Sequence, residues 1–174
     1  MPVKSLIRTI PHYPRKGIMF RDITTLLQDP VGLRTVIEKI TDRYRNEKID
    51  KVVGIESRGF IIAAPVAYAL GAGFIPIRKQ GKLPSTTIGC DYQLEYGHDR
   101  IEIHVDAVNE NDRVLLIDDL IATGGTMEAA LKLMLDMKAE VIECCFVINL
   151  PGVGGAARLQ KQGHKLHALC SFDE

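Results

Sequence analysis

Val114-Leu115-Leu116-Ile117-Asp118-Asp119-Leu120-Ile121-Ala122-Thr123-Gly124-Gly125-Thr126 is the stretch whose reading decides the fold. Four consecutive apolar residues suit a strand buried on both faces of a parallel sheet. The two carboxylates after them stand at the strand's carboxyl edge, where an open α/β sheet places its ligand. The hydroxyl- and glycine-rich turn at 123–126 can aim backbone N–H groups and hydroxyls at an anion on the positive end of the helix it opens. Carboxylates accept hydrogen bonds from sugar hydroxyls, so one segment offers acceptors for a ribose beside donors for a phosphate. A plainer reading stands next to it: paired aspartates after a strand often cap the next helix, and Gly-Gly often makes only a turn.

Outward from this segment, strand-like and helix-like stretches alternate. Apolar residues at Val31, Leu33, Val36, Ile37, Ile40 and Tyr44 give a helical stripe over 31–44, with Asp29 as N-cap and Pro30 in the first turn. Residues 51–55 read as a short buried strand and 59–70 as a helix, which Pro65 should kink or whose first turns it should mark. Residues 73–77 read as a second strand. Residues 78–96 carry Gly81, Pro84 and Gly89 without a sustained period and read as a long surface loop with strand pairs at its base, the kind of loop that usually serves as a lid or a binding loop. The alternation Ile101, Glu102, Ile103, His104, Val105 suggests a half-exposed strand. Beyond the central strand at 114–117, a helix is expected over 124–138, a strand over 141–150, a short helix over 154–162 and an edge strand over 166–169. Repeated βα alternation is the signature of a mostly parallel sheet flanked by helices.

Composition narrows the function classes. At 174 residues the chain suits one domain that buries roughly two-thirds of its unfolded surface. Lys plus Arg equals Asp plus Glu at 22 each, so there is no basic surplus to attach it to nucleic acid or acidic lipid. Neither nucleic acid nor membrane is expected as a partner. Cys90, Cys144, Cys145 and Cys170 lack C-x-x-C spacing and read as buried thiols of a reducing compartment. Residues 1–8 show no secretory pattern, and a cytoplasmic setting follows as the expectation.

Three further constellations carry chemistry. Glu56-Ser57-Arg58-Gly59 joins a strand to a helix: Arg58 offers forked donors for a diphosphate, Gly59 allows close backbone approach, and the helix start adds positive charge. A surface ion pair between Glu56 and Arg58 is the bland alternative. Arg78, Lys79 and Lys82 form a cationic strand end and loop that could close on diphosphate or could be a solvated charge run. Phe20, between Met19 and Arg21, could stack on a heterocycle while adjacent backbone reads its edge, or could be ordinary core. Gly152-Val153-Gly154-Gly155-Ala156-Ala157 has the G-x-G-x-x-A spacing of a dinucleotide site, but the strand and half-domain such a site needs do not follow, so it reads as a tight turn. A Walker A pattern is absent, and His12, His98, His104, His164 and His167 show no metal-ligand spacing. No metal cage built from protein side chains is expected.

The 114–126 segment resembles the phosphoribosyl pyrophosphate (PRPP) fingerprint of the type I phosphoribosyltransferases. Residues 14–24, 54–60 and 77–96, the last with Arg-Lys-Gln-Gly-Lys-Leu-Pro and Leu-Glu-Tyr-Gly, resemble the adenine branch of that family in the same order. The resemblance implies the type I fold, with a small hood over about 1–28 and a flexible closing loop over about 78–99. It implies transfer of 5-phosphoribosyl from PRPP to adenine, giving AMP and diphosphate, in a likeness that also brings a homodimer. Asp118 and Asp119 would hold ribose hydroxyls and Ala122, Thr123, Gly124, Gly125 and Thr126 the 5′-phosphate. Glu56, Ser57, Arg58 and Gly59 would form the diphosphate corner, with a cis peptide before Ser57 and help from Arg78, Lys79 and Lys82. Met19, Phe20 and Arg21 would take adenine, and Glu95 would handle its imidazole proton with Tyr96 shielding the site and Arg58 assisting catalysis. Mg²⁺ would bind mainly through PRPP oxygens. The alternatives are a phosphoribosyltransferase for hypoxanthine or xanthine, and a non-catalytic PRPP-sensing regulator. A kinase or a dinucleotide oxidoreductase would rest on the glycine turns alone.

Overall fold

A computed structural model describes residues 3–94 and 97–173. A 3-10 turn (Val3–Leu6) leads into β1 (Arg8–Pro11) and β2 (Met19–Asp22), which pair antiparallel with Ile10 opposite Phe20. Helices α1 (Thr24–Gln28) and α2 (Pro30–Tyr44) follow. Asp29 caps α2 by accepting from the Gly32 amide at 2.6 Å, and Pro30 occupies the first helical position, where no N–H is missed. The chain then alternates through β3 (Lys51–Ile55), α3 (Arg58–Leu70) and β4 (Gly73–Lys79). A hairpin of β5 (Thr87–Gln93) and β6 (His98–His104) follows. β7 (Arg113–Ile121), α4 (Gly125–Asp136), β8 (Glu140–Asn149), α5 (Gly155–Lys161) and β9 (Leu166–Ser171) complete it.

Among the described residues, seven strands form the main sheet in the order β5-β6-β4-β3-β7-β8-β9. The run from β4 to β9 is parallel, and the β5–β6 hairpin adds an antiparallel edge. Val114, Leu115, Leu116 and Ile117 are fully buried. Alternate residues of β7 serve opposite cores: Val114 and Leu116 pack with Met127, Ala130 and Met134 of α4, while Leu115 and Ile117 pack with Val36, Ile40, Ile62 and Val66 of α2 and α3. At about 1.5–3 kcal/mol for each fully buried aliphatic side chain, this strand anchors both layers. Cys144 and Cys145 divide the same way between the two cores, and burial pushes each thiol up to about 12. No helix among the described residues is long and apolar enough to cross a membrane.

Several boundaries differ from expectation, three of them in the main sheet. The central strand does not end before its acids: β8 continues to pair with β7 through Asp118, Leu120 and Ile121, so both aspartates lie within the strand. Residues 87–93 are a full strand rather than loop. Their pattern is hidden by Gly89, where a Cβ would lie 2.7 Å from the Arg100 guanidinium that crosses the hairpin. β4 runs on to Lys79 because Arg78 and Lys79 pair with Glu102 and Ile101 of β6. Pro65 sits inside α3 rather than in its first turn.

Candidate active site

The strand order reverses between β3 and β7, since the chain leaves β3 toward β4 and returns to β7 on the other side. Open α/β sheets hold ligands outside the carboxyl ends of the strands at such a point. A cleft of about 690 Å³ lies there, lined by Glu56, Ser57, Arg58, Lys79, Lys82, Asp118, Asp119 and the whole 122–126 turn. The three phosphate- and sugar-binding segments read from the sequence therefore converge. Gly59 and Arg78 are not part of this lining. A Cβ on Gly59 would come within 3.0 Å of the Ile117 carbonyl and 3.1 Å of Asp118 Oδ1, so its close approach is to β7.

Asp118 and Asp119 do not cap α4. Its N-cap is Gly124, in the left-handed region at φ 80°, with no side-chain cap, so the first amides of the helix keep their capacity for an anion. Thr123 and Thr126 flank that position and line the cleft. Asp119 is only 6% exposed and accepts from Arg58 Nε at 2.5 Å. Asp118 Oδ1 accepts from the Asp119 amide at 2.8 Å. Burial first, and repulsion from Asp119 second, raise the Asp118 carboxyl well above the usual range. The pair thus offers one Arg-balanced carboxylate and one that takes a proton more readily. Among the described residues no group of three or more His, Cys, Asp or Glu side chains is disposed to hold a metal ion.

Glu56 and Arg58 do not pair with each other. Glu56 gathers the opposite wall: it accepts from Lys82 Nζ at 2.6 Å, from the Lys79 amide at 2.9 Å and from Arg78 at 3.3 and 3.4 Å. Burial works to raise its carboxyl, but Lys82, the Lys79 amide and Arg78 outweigh that and lower it to about 2. The Glu56–Ser57 peptide is cis, as the resemblance implied. Lys79 Nζ donates to Asp99 at 2.6 Å, and Tyr92 Oη donates to the same carboxylate at 3.1 Å. Tyr92 and Leu94 of the lining, and Asp99 beside them, carry no motif in the sequence that marks them as site residues. Tyr92 faces Asp99 across the hairpin, a relation legible only once its register is known.

Met19, Phe20 and Arg21 lie on β2, outside the lining of this cleft. The end of β2 is nevertheless close: Asp22 acts electrostatically on Arg58. Phe20 is half-buried and meets Tyr13 edge-on, with centroids 5.2 Å apart, so it is not ordinary core. The Arg21 guanidinium lies 4.3 Å from the Phe172 ring. Glu95 and Tyr96 lie outside the described residues.

A cleft that joins an acid pair, an uncapped helix start and a cationic wall at a sheet switch point is that of a phosphoribosyltransferase, and the phosphoribosyl transferase domain model matches residues 22–168. An adenine phosphoribosyltransferase of Nitrosomonas eutropha is 75% identical over the full length of both chains. The crystal structure of the Rhodothermus marinus adenine phosphoribosyltransferase is 48% identical and superposes with a TM-score of 0.91, covering 98% of this chain and 96% of that one. The Saccharomyces cerevisiae enzyme, solved with D-2,5-dideoxy-2,5-imino-altritol 1,6-bisphosphate and adenine, is 34% identical with a TM-score of 0.90, over 97% of this chain and 96% of its own. The chain belongs to the adenine phosphoribosyltransferase family.

The Glu56 cluster has a pH signature. A carboxyl depressed in the folded state stabilises fully above its unfolded value of 4.5 and loses that contribution as pH falls through about 2. Glu56→Gln should therefore flatten the fall in unfolding temperature between these pH values, measured by differential scanning fluorimetry. A slope equal to that of the wild type would remove Glu56 from the acid response.

Proposed function

We infer that the protein transfers the 5-phosphoribosyl group of PRPP to N9 of adenine, giving AMP and diphosphate. The convergence of the acid pair, the 122–126 turn and the Glu56–Lys82 wall in one cleft carries this reading. A pentose bearing a phosphate at one end and a diphosphate at the other needs these three features around it. Asp118 and Asp119 accept from the ribose hydroxyls, and the turn with the α4 N-terminus receives the 5′-phosphate. Ser57, Arg58 and Gly59 face the diphosphate, with Arg78, Lys79 and Lys82 around it and Glu56 orienting these cations. The yeast relative's complex with adenine and an imino-altritol bisphosphate supports both the base and the doubly phosphorylated partner.

In the reaction the bond from C1 to the diphosphate oxygen breaks as N9 attacks, with positive charge gathering on the ribosyl centre. Fixed cations around the leaving group stabilise the charge it carries away. Phe20 stacks on the base while the Met19 and Arg21 backbone reads its amino edge. Glu95 takes up the imidazole proton, and Tyr96 helps exclude water that would otherwise hydrolyse PRPP. Mg²⁺ suits the site as a partner of the substrate, held mainly by PRPP oxygens and water, while Asp118 and Asp119 would remain the acceptors for the ribose hydroxyls. When bound, the ion supplies charge neutralisation to the diphosphate. The whole chain then acts as one domain, with residues 1–28 as the hood over the base and the 78–99 segment as the closing element. Four free cysteines, three of them buried, support a cytoplasmic setting.

The same reading makes the protein a homodimer. α3 is apolar on both sides: Ile62, Ala63, Val66 and Ala67 are buried, while Ile61 is 47% and Tyr68 90% exposed. A helix hydrophobic all round is usually covered on both faces, and a second copy is the covering proposed.

Incubation with PRPP, Mg²⁺ and each purine base should yield AMP from adenine; absence of AMP rejects the reading, and preference for hypoxanthine or xanthine moves it to a sister branch. Glu95→Gln should lower kcat by about 10²- to 10⁴-fold with little change in PRPP affinity. Equal losses in both would deny Glu95 its proton role. Tyr68→Glu should shift the molecular mass in light scattering from two chains to one, and an unchanged mass would place any seam elsewhere.

A further inference from the structure

The glycine turn at 152–157 has so far no role. It is no dinucleotide site, because the helix it opens spans only Gly155–Lys161. Its position is informative instead. The Gly155 amide donates to the Ala122 carbonyl at 3.0 Å, at the start of the turn that faces the 5′-phosphate. A Cβ built on Gly155 would lie 2.3 Å from that carbonyl oxygen, 2.5 Å from Thr123 C and 2.6 Å from Gly124 N. All three are backbone atoms, so no side chain could swing aside. In return, a Cβ on Gly124 would meet Gly155 Cα at 3.3 Å. The two backbones are therefore in contact with no side chain between them.

The support is itself fastened down. Leu159 is fully buried in the core beneath α5, and Arg158 and Gln162 reach Glu128 in the first turn of α4 at 2.9 and 3.0 Å. α5 and the N-terminus of α4 are thus held to each other beside the turn. We propose that Gly155 is a positioning residue for the phosphoribosyl site: its bare Cα lets α5 press against residues 122–124 and hold their amides in the geometry that receives the 5′-phosphate. The proposal rests on the phosphoribosyl reading of the cleft. A misplacement of about 1 Å is enough to cost on the order of 10²-fold at a preorganised site.

The test compares ribose 5-phosphate with Mg²⁺–diphosphate by isothermal titration calorimetry. Gly155→Ala should weaken ribose 5-phosphate by about 10- to 100-fold while leaving diphosphate, which faces the Ser57–Lys82 wall, unchanged. Gly154→Ala is the control. Its φ of 88° strains an alanine, but a Cβ there meets nothing within 4 Å, so stability should fall and ribose 5-phosphate affinity should hold. Should Gly155→Ala fail to fold, hydrogen exchange of the wild type decides: ribose 5-phosphate should protect 151–159 together with 122–126, and protection of 122–126 alone overturns the proposal. Equal binding by Gly155→Ala and wild type also overturns it. A wild type that binds diphosphate but not ribose 5-phosphate refutes the reading of the turn itself.

Discussion

One mismatch of strand lengths governs the site: β7 outruns β3. Pairing between them ends at Gly54 opposite Ile117, while β8 follows β7 four residues further, to Ile121. From Asp118 onward β7 is therefore a strand on one side and an open edge on the other. Backbone and side-chain polar groups along such an edge need partners. Asp118 and Asp119 lie on it, the Ser57–Gly59 turn closes over it, and Arg58 supplies the countercharge. Gly59 is what lets α3 begin this close to β7, because its missing Cβ leaves room for the Ile117 carbonyl. The apolar run that builds the core and the acids that build the cleft are one continuous strand, so core packing sets the position of the chemistry.

The cleft's charges are arranged in exchangeable pairs. Arg58 sits on Asp119, Arg78 and Lys82 on Glu56, and Lys79 on Asp99. Each cation is at least a third exposed, so these pairs contribute only modestly to stability and are cheap to trade for a ligand phosphate. Each carboxylate is more buried than its cation, which keeps the anionic partner fixed while the cationic side chain remains free to turn toward the cleft. A chain with balanced overall charge can thus present cations to a highly charged substrate from local ion pairs.

How much of this was legible follows from where the information resides. Buried parallel strands declare themselves as apolar runs, so β3, the α2 stripe and the core of β7 are legible almost residue for residue. The Asp-Asp and Thr-Gly-Gly-Thr elements, the Glu56 turn and the Arg78–Lys82 cluster were each ambiguous alone, and their convergence is a property of strand order that no local pattern carries. β5 was lost because Gly89 interrupts its alternation for the sake of a crossing arginine. Tyr92 and Asp99 depend on hairpin register, and α1 on tertiary packing. Gly155 was hidden for a different reason: its motif resembles a ligand site, while its contact is with another turn of the same chain.

Class and base preference, as proposed, fall on different parts of the molecule. The acid pair and the 122–126 turn belong to the rigid sheet and its first helix, whereas Met19, Phe20 and Arg21 belong to a separate two-stranded ribbon. Within the ribbon Arg8 holds Asp22, and Asp22 ties the ribbon's end to α1 by accepting from Thr24. The Arg8 guanidinium and the Thr24 donors lower the Asp22 carboxyl to about 2, so this tie is charged under ordinary conditions. The residues that flank the ribbon, Ile7 and Ile23, are buried in the same core as Ile62, Val66, Leu115 and Ile117, and its Arg21 guanidinium lies over the Phe172 ring, so the ribbon is anchored by packing as well as by charge. With Met19, Phe20 and Arg21 proposed to take the base, the ribbon lies outside the cleft lining that is proposed to hold the sugar phosphate. On the proposed reading the fingerprint at 114–126 marks the class, and the N-terminal ribbon would carry the preference for one base over another.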